Sequence, residues 1–147
     1  MKFLLGMICF TLFSSSAFAN KDITGLWHYM DDKTGEAKGV VEISKQSDGT
    51  YAGTAIKITP RPGYTAKEYC TKCAPPNTNK PIVGLQVISN LSTEDQINYT
   101  NGQIIDPVSG KNYRLKAKLS PNGNKLLLRG FIGVSAIGRS QTWLRVK

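Results

Sequence analysis

The sequence predicts an all-β domain of about eight short antiparallel strands, and two observations carry this prediction. Apolar and polar residues alternate with period two along most of the 147-residue chain after Asn20, as in half-buried strands. Clusters containing Gly, Asn, Asp or Pro separate these runs at short spacing, as hairpins require. Eight strands of this kind can close an up-and-down barrel or stack as a sandwich.

The N-terminus has the three parts of a secretory signal. Lys2 supplies the positive start, residues 3–13 form an apolar run, and Ala17-Phe18-Ala19 gives the small-x-small cleavage pattern. We expect residues 1–19 to be a signal peptide cleaved after Ala19, which makes the protein periplasmic or secreted. The rest, residues 20–147, suits one domain, and none of its apolar runs is long enough for a transmembrane helix.

The clearest strand is residues 113–119. Its apolar side chains share one face: Tyr113, Leu115, Ala117 and Leu119. Its charged side chains share the other: Arg114, Lys116 and Lys118. The other predicted strands are 25–30, 39–45, 51–59, 82–89, 96–100, 125–131 and 142–146. Turn signals lie between them at 47–49, 101–102, 106–110 and 120–124.

One long irregular segment, residues 60–81, holds Cys70 and Cys73. A structural zinc site needs about four ligands, and the only histidine, His28, is far away in sequence. A thioredoxin-like redox pair needs a helix after the first cysteine, but Ala74-Pro75-Pro76 prevents one. We therefore predict a disulfide between Cys70 and Cys73, formed in an oxidising compartment, that shapes a crossover or lid.

The formal net charge of +9 favours anionic partners without specifying one. The basic residues are scattered and form no helical run, so the pattern is not that of a nucleic-acid-binding protein. The stripe of Arg114, Lys116 and Lys118 suggests contact with an anionic envelope surface or a protein partner. A solvated strand face kept soluble by its charge is the competing interpretation.

The sequence shows no catalytic constellation, so we predict no enzymatic activity, no cofactor and no metal site. His28 follows Trp27 and should point outward by alternation. Asp106 is expected to order its own turn. A further role for Asp106, Lys111 and Tyr113 at a binding mouth remains an alternative.

Several short motifs occur in a fixed order: Gly25-Leu26-Trp27, Cys70-x-x-Cys73, residues 81–85 (PIVGL), residues 102–113 (GxIxDPxxGKxY), residues 129–133 (RGFIG) and residues 138–145 (GRxxxWxR). Together they resemble the bacterial exported proteins catalogued as domain-of-unknown-function family 2147. The resemblance spans the whole chain after the signal. It implies a periplasmic or secreted protein with a small lipocalin-like β-barrel, without an established activity.

In lipocalin-like barrels a G-x-W on the first strand places an indole across one barrel end, where an arginine from the last strand can stack on it. Here the pair would be Trp27 and Arg145, with Arg139 as the other candidate. A tryptophan that only fills the core is the competing interpretation. Both roles are structural.

The function predicted is a non-enzymatic binder of a small or apolar ligand, held in the barrel interior or in the mouth beneath residues 60–81. An eight-stranded barrel is just wide enough to be filled by side chains or to hold one small ligand. The predicted ligand-binding residues are Tyr51, Leu85, Tyr113, Leu115 and Trp143. The alternative is a structural or interaction protein that uses its basic face.

Overall fold

Eight strands pair in chain order, and the last returns to the first, so that the sheet closes into an antiparallel up-and-down barrel. The strands are β1 (Gly25–Met30), β2 (Ala37–Lys45), β3 (Tyr51–Ile58), β4 (Gln86–Leu91), β5 (Asn98–Ile105), β6 (Asn112–Leu119), β7 (Lys125–Phe131) and β8 (Gly138–Arg145). This computed structural model describes residues 22–147. The predicted signal peptide, residues 1–19, lies outside that range. Within it, no helix is long and apolar enough to cross a membrane.

The barrel has two ends that differ in their connections. We call one the loop end: it carries residues 31–36, the long connection 59–85, and the turns 106–111 and 132–137. We call the other the turn end: it carries residues 46–50, 92–97 and 120–124, together with the first described residues, 22–24. Each end is therefore built from segments far apart in sequence.

Side chains fill the middle of the barrel. The buried cluster includes Val41, Ile43, Ile88, Leu91, Leu115, Leu126 and Leu128. Glycines make room where neighbours are large: a Cβ at Gly102 would lie 2.6 Å from Cδ2 of Leu91, and one at Gly39 would lie 2.6 Å from Cε1 of Tyr29. At these positions the interior is packed so closely that an added methyl group would overlap existing atoms.

The all-β barrel predicted from the sequence is confirmed, and β6 shows the expected alternation. Its apolar residues from Leu115 to Leu119 are buried, Tyr113 is half-buried, and the charged residues between them are exposed. Period two predicts this because successive side chains of a strand point to opposite faces.

The prediction of a turn at Asn101-Gly102 was wrong. These residues lie within β5, where the register against β6 shifts between Tyr99 and Gly102. Asn101 has a φ of 60°, so it takes the left-handed conformation that asparagine tolerates in bulges as well as in turns. Several strand boundaries also differ; the largest differences are that β4 begins only at Gln86, β5 continues to Ile105 and β8 begins already at Gly138.

Candidate ligand cleft at the loop end

A cleft of about 60 Å³ opens between the long connection 59–85 and the barrel rim. Its lining combines strand ends with loop residues: Tyr29, Lys38, Ile58, Tyr64, Ala66, Lys67, Ile82, Asp106, Pro107 and Val108. Typical small-molecule pockets measure roughly 300–1,000 Å³, so this cleft suits one end of a small molecule. We call it the loop-end cleft.

Tyr29 forms an aromatic wall of the cleft. Its ring centre lies 6.1 Å from that of Trp143, at an interplanar angle of 51°. Burial raises the pKa of Tyr29, and the nearby Tyr64 and Asp106 raise it further. The hydroxyl therefore stays protonated at neutral pH and is available as a hydrogen-bond donor.

Arg61 provides a fixed cation next to the cleft. Its side chain is only 9% exposed, and its guanidinium carbon lies 4.3 Å from the centre of the Tyr64 ring. Arg61 Nη1 donates to Asp31 Oδ2 at 3.0 Å, while the buried Nε has no hydrogen-bond partner among the described residues. The Arg61 hydrogen bond, together with those from the backbone N–H groups of Lys33 and Thr34, holds the pKa of Asp31 well below its usual range.

The charged lining residues leave a positive excess. The Asp106 carboxylate accepts from the Val108 N–H at 2.9 Å and from the Ser109 hydroxyl at 2.8 Å, so it orders its own turn. Lys38 lies 3.8 Å from Asp31, while Lys67 forms no ion pair within residues 22–147. With Arg61 and Asp31 included, three cations stand against two carboxylates, and both carboxylates are already hydrogen-bonded. The charge around the cleft is therefore net positive and favours an anionic ligand group.

The predicted disulfide joins Cys70 and Cys73, whose Cα atoms are 5.4 Å apart. Both cysteines are buried in the core cluster. Cys70 Sγ lies 3.2 Å from the Pro107 carbonyl oxygen, and a Cβ at Gly110 would overlap the Lys72 carbonyl. The stapled loop thus packs directly against the turn 106–111 and holds one wall of the cleft.

The predicted ligand-binding residues lie outside this cleft. Leu115 and Trp143 are buried in the barrel, Tyr113 is half-buried on β6, and Tyr51 lies at the turn end. Leu85 borders a separate, shallow depression of about 310 Å³ formed by residues 77–86. Of the alternative mouth residues, Asp106 lines the cleft, and Lys111 and Tyr113 do not.

At the turn end, Arg145 stacks on Trp27. The guanidinium carbon lies 4.3 Å from the ring centre of the fully buried indole, whose Nε1 donates to the Ile23 carbonyl at 2.9 Å. All three guanidinium nitrogens donate to backbone carbonyls: those of Gly123 at 2.7 Å, Thr24 at 2.6 Å and Asp22 at 2.8 Å. Arg145 thus closes this end by joining β8 to two other segments.

Arg139, the other candidate partner of Trp27, lies at the loop end. Its guanidinium pairs there with Asp32, and its side chain is 75% exposed. Gln141, on the same strand, donates to Asp32 Oδ1 at 2.8 Å and accepts from Trp143 Nε1 at 2.5 Å. The arginine at the strand's end, rather than the one at its start, therefore reaches the indole.

A second polar group closes the turn end. The Tyr51 and Tyr99 rings meet edge to face at 5.3 Å, and the Tyr51 hydroxyl donates to Asp22 Oδ2 at 3.1 Å. Burial alone would raise the pKa of Asp22, but hydrogen bonds from Thr24 and Tyr51 outweigh it and lower the pKa. Burial also raises the pKa of Tyr99. These groups are structural, since Tyr51 bonds to Asp22 and the Tyr99 hydroxyl bonds to the backbone of Ile23 and Gln96.

The remaining sequence-predicted groups lie on the outside of the barrel. Arg114, Lys116 and Lys118 are exposed, and the first two lie over the Phe131 ring at 5.6 and 5.7 Å. His28 is half-buried on the outer side of β1. Among residues 22–147 no group of three His, Cys, Asp or Glu side chains is placed to hold a metal ion.

A family model described as an uncharacterized protein conserved in bacteria (DUF2147) matches residues 25–145. The chain belongs to this family. The matched range runs from the first residue of β1 to the last residue of β8, so the family corresponds to the complete barrel. Comparison with curated proteins gives no significant match.

Among solved structures, the barrel is similar to a protein from the human pathogen Helicobacter pylori, HP1028, which is described as belonging to the lipocalin family. The TM-score is 0.72 at 20% sequence identity, over 86% of this chain and 84% of that one. At this identity the likeness shows the fold, and the family member described here has a lipocalin-like barrel.

Proposed function

We propose that the protein is a non-enzymatic binding protein of the bacterial cell envelope that holds one end of a small amphipathic molecule carrying an anionic group. The loop-end cleft carries the proposal. It places apolar side chains such as Ile58 and Ile82 beside Lys38 and Lys67, with the Tyr29 hydroxyl as a donor. Small-ligand sites combine an apolar lining with a few orienting polar groups in this way.

Two further features support this proposal. The packed middle of the barrel leaves the loop end as the place where a ligand can enter without displacing core side chains. The Cys70–Cys73 disulfide is typical of oxidising compartments, which supports export. Burial of both cysteines also argues for a structural role, because catalytic thiols are partly exposed.

Titration with octanoate, followed by amide chemical shifts, tests the proposal. We expect the shifts to concentrate at Tyr29, Lys38, Tyr64 and Lys67, and 1-octanol to bind at least tenfold more weakly because it lacks the charge. Lys67→Glu should weaken octanoate binding at least tenfold. Lys118→Glu, which reverses the same charge on the exposed outer face of β6, should leave it unchanged.

Two results would contradict the proposal. One is an equal affinity of the Lys67→Glu and Lys118→Glu proteins for octanoate. The other is a set of shifted amides that lies away from the loop-end cleft. Octanol that binds as tightly as octanoate would remove the anionic group from the proposal, since the lysines would then contribute nothing to recognition.

A further inference from the structure

The loop between β7 and β8 presents an unusual apolar tip. Ile132, Val134 and Ile137 are 65%, 60% and 71% exposed, and residues 132–137 contain no charged side chain. Single exposed apolar residues are ordinary on protein surfaces, but three within one six-residue turn form a patch. We call residues 132–137 the apolar loop.

The apolar loop is held in shape by Arg129. Its Nε donates to the Ser135 carbonyl at 2.6 Å and its Nη2 to the Ala136 carbonyl at 3.3 Å, while Nη1 donates to the Ser140 hydroxyl at 2.9 Å. The Ile137 N–H donates to the Val134 carbonyl at 3.0 Å. Because these backbone groups are already paired, moving the loop out of water costs less than moving an open turn.

The barrel wall beside the apolar loop carries the protein's positive charge. Residues 98–145 contain eight Lys and Arg and one acid: Lys111, Arg114, Lys116, Lys118, Lys125, Arg129, Arg139 and Arg145 against Asp106. Residues 22–97 contain eight Lys and Arg against nine acids: Asp22, Asp31, Asp32, Glu36, Glu42, Asp48, Glu68, Glu94 and Asp95. Nearly all the net charge of the described chain therefore lies on β5 to β8.

Besides Arg129 and Arg139, two further cations lie near the apolar loop, on the neighbouring strand β6. In the register of β6 against β7, Arg114 lies opposite Phe131, the residue that leads into the loop, and Lys116 lies opposite Arg129. Arg114 and Lys116 both lie over the Phe131 ring. Basic side chains thus line the β6 side of the root of an apolar tip, while Asp32 pairs with Arg139 on the β8 side. In this arrangement the tip can enter an apolar layer while the cations on β6 meet anionic headgroups.

We infer that the protein docks on the surface of an anionic lipid bilayer, with the apolar loop in the interface and the β6–β7 wall against the headgroups. Charge complementarity identifies the partner of this surface as an anionic bilayer. A bilayer rich in anionic lipid offers both a negative surface and an apolar layer beneath it.

Flotation with phosphatidylglycerol–phosphatidylcholine vesicles tests this inference on the purified protein. We expect binding that rises with the phosphatidylglycerol fraction, is absent on pure phosphatidylcholine, and weakens at least tenfold when salt rises from 0.05 to 0.5 M, on the order of the screening expected for exposed charges. The double variant Ile132→Ser/Ile137→Ser should bind at least tenfold more weakly. Ile97→Ser removes a 49%-exposed isoleucine at the turn end and should not change binding.

Charge variants distinguish vesicle binding through the β6–β7 wall from binding that depends only on the protein's net charge. Arg114→Glu/Lys116→Glu should abolish binding, while Lys45→Glu/Lys57→Glu on β2 and β3 gives the same net charge and should bind within threefold of the unchanged protein. Equal losses of vesicle binding in these two double variants would overturn the inference. So would an Ile132→Ser/Ile137→Ser variant that still binds, or one that instead loses a dimer seen by light scattering.

The vesicle experiment is independent of the cleft experiment. Lys67→Glu, at the loop-end cleft, alters the proposed ligand site but neither the apolar loop nor the β6–β7 wall. If it lowers octanoate affinity and leaves vesicle binding within threefold, the two sites are distinct. If vesicle binding persists while octanoate never binds, the proposed ligand function fails and the membrane inference stands.

Discussion

Truncation of Arg145 should be the most damaging change at the turn end. Arg145→Ala removes three hydrogen bonds from a charged donor to backbone carbonyls and the stacking on Trp27. Water can reach the freed carbonyls at this half-buried site, so each bond should account for about 1 kcal/mol, and the cation–π contact adds about 1 kcal/mol. We expect a loss of about 4 kcal/mol in the free energy of unfolding.

The loss can be read directly in a thermal melt. A domain of about 130 residues has an unfolding entropy near 0.27 kcal/mol/K, so 4 kcal/mol corresponds to a Tm lower by about 15 °C. Differential scanning calorimetry gives this shift. The Tm of Arg145→Lys should lie between that of the unchanged protein and that of Arg145→Ala. An ammonium group keeps the charge but cannot reach all three carbonyl acceptors as the planar guanidinium does.

Arg139→Ala is the matched control. Arg139 lies on the same strand, and its side chain is 75% exposed and, within residues 22–147, pairs with Asp32 alone. Exposed ion pairs are worth about 0–1 kcal/mol, so its removal should lower the Tm by less than about 4 °C. If Arg145→Ala lowers the Tm no more than Arg139→Ala does, the hydrogen bonds and the stacking at the turn end do not stabilise the barrel as argued.

Three other predictions concern the stability of the barrel. Cys70→Ala/Cys73→Ala should lower the free energy of urea unfolding by about 2 kcal/mol through the lost loop constraint, and a change below about 0.5 kcal/mol would contradict a stapling role. Because the pKa of Asp22 is lowered in the folded state, its ionised form adds stability above about pH 4 that is lost as the pH falls further. Asp22→Asn should be less stable than the unchanged protein at pH 7, and in urea melts the difference in unfolding free energy should narrow as the pH falls below about 4; a difference independent of pH would refute this. Gly102→Ala forces a methyl group against packed side chains and should lower the free energy of unfolding by about 1–3 kcal/mol. Gly130→Ala should lower it less, because its Cβ would lie 3.6 Å from the nearest atom, an ordinary contact; equal losses would mean that the interior around Gly102 is not tightly filled.

The fold was largely predictable from the sequence because its signal is local. In β6 the alternation of apolar and charged residues already shows which face is buried. The disulfide was predictable too, since two cysteines three positions apart before a Pro-Pro pair leave few other uses. Asn101-Gly102 shows the limit: the same dipeptide serves a turn or a bulge, and only the pairing of β5 with β6 decides which.

The candidate site was much less predictable. The mouth beneath residues 60–81 was one of the two predicted ligand positions, but the individual residues were chosen by alternation, which indicates inward positions such as Leu115 and Trp143 that are buried in the barrel. The loop-end cleft is instead made by Tyr64 and Lys67, which lie in a connection without periodicity. Their only sequence signal was that a long, disulfide-containing loop must fold over something.

The sequence by itself determined the alternating strand faces, the turns at 47–49, 106–110 and 120–124, the disulfide and the excess of positive charge, because each depends on residues a few positions apart. Tertiary structure decided which arginine meets Trp27, where the cleft opens, and that Arg114 and Lys116 stand beside the apolar loop. These arrangements join residues up to 123 positions apart. They exist only once β8 has closed on β1 in a single register, and no local pattern records that closure.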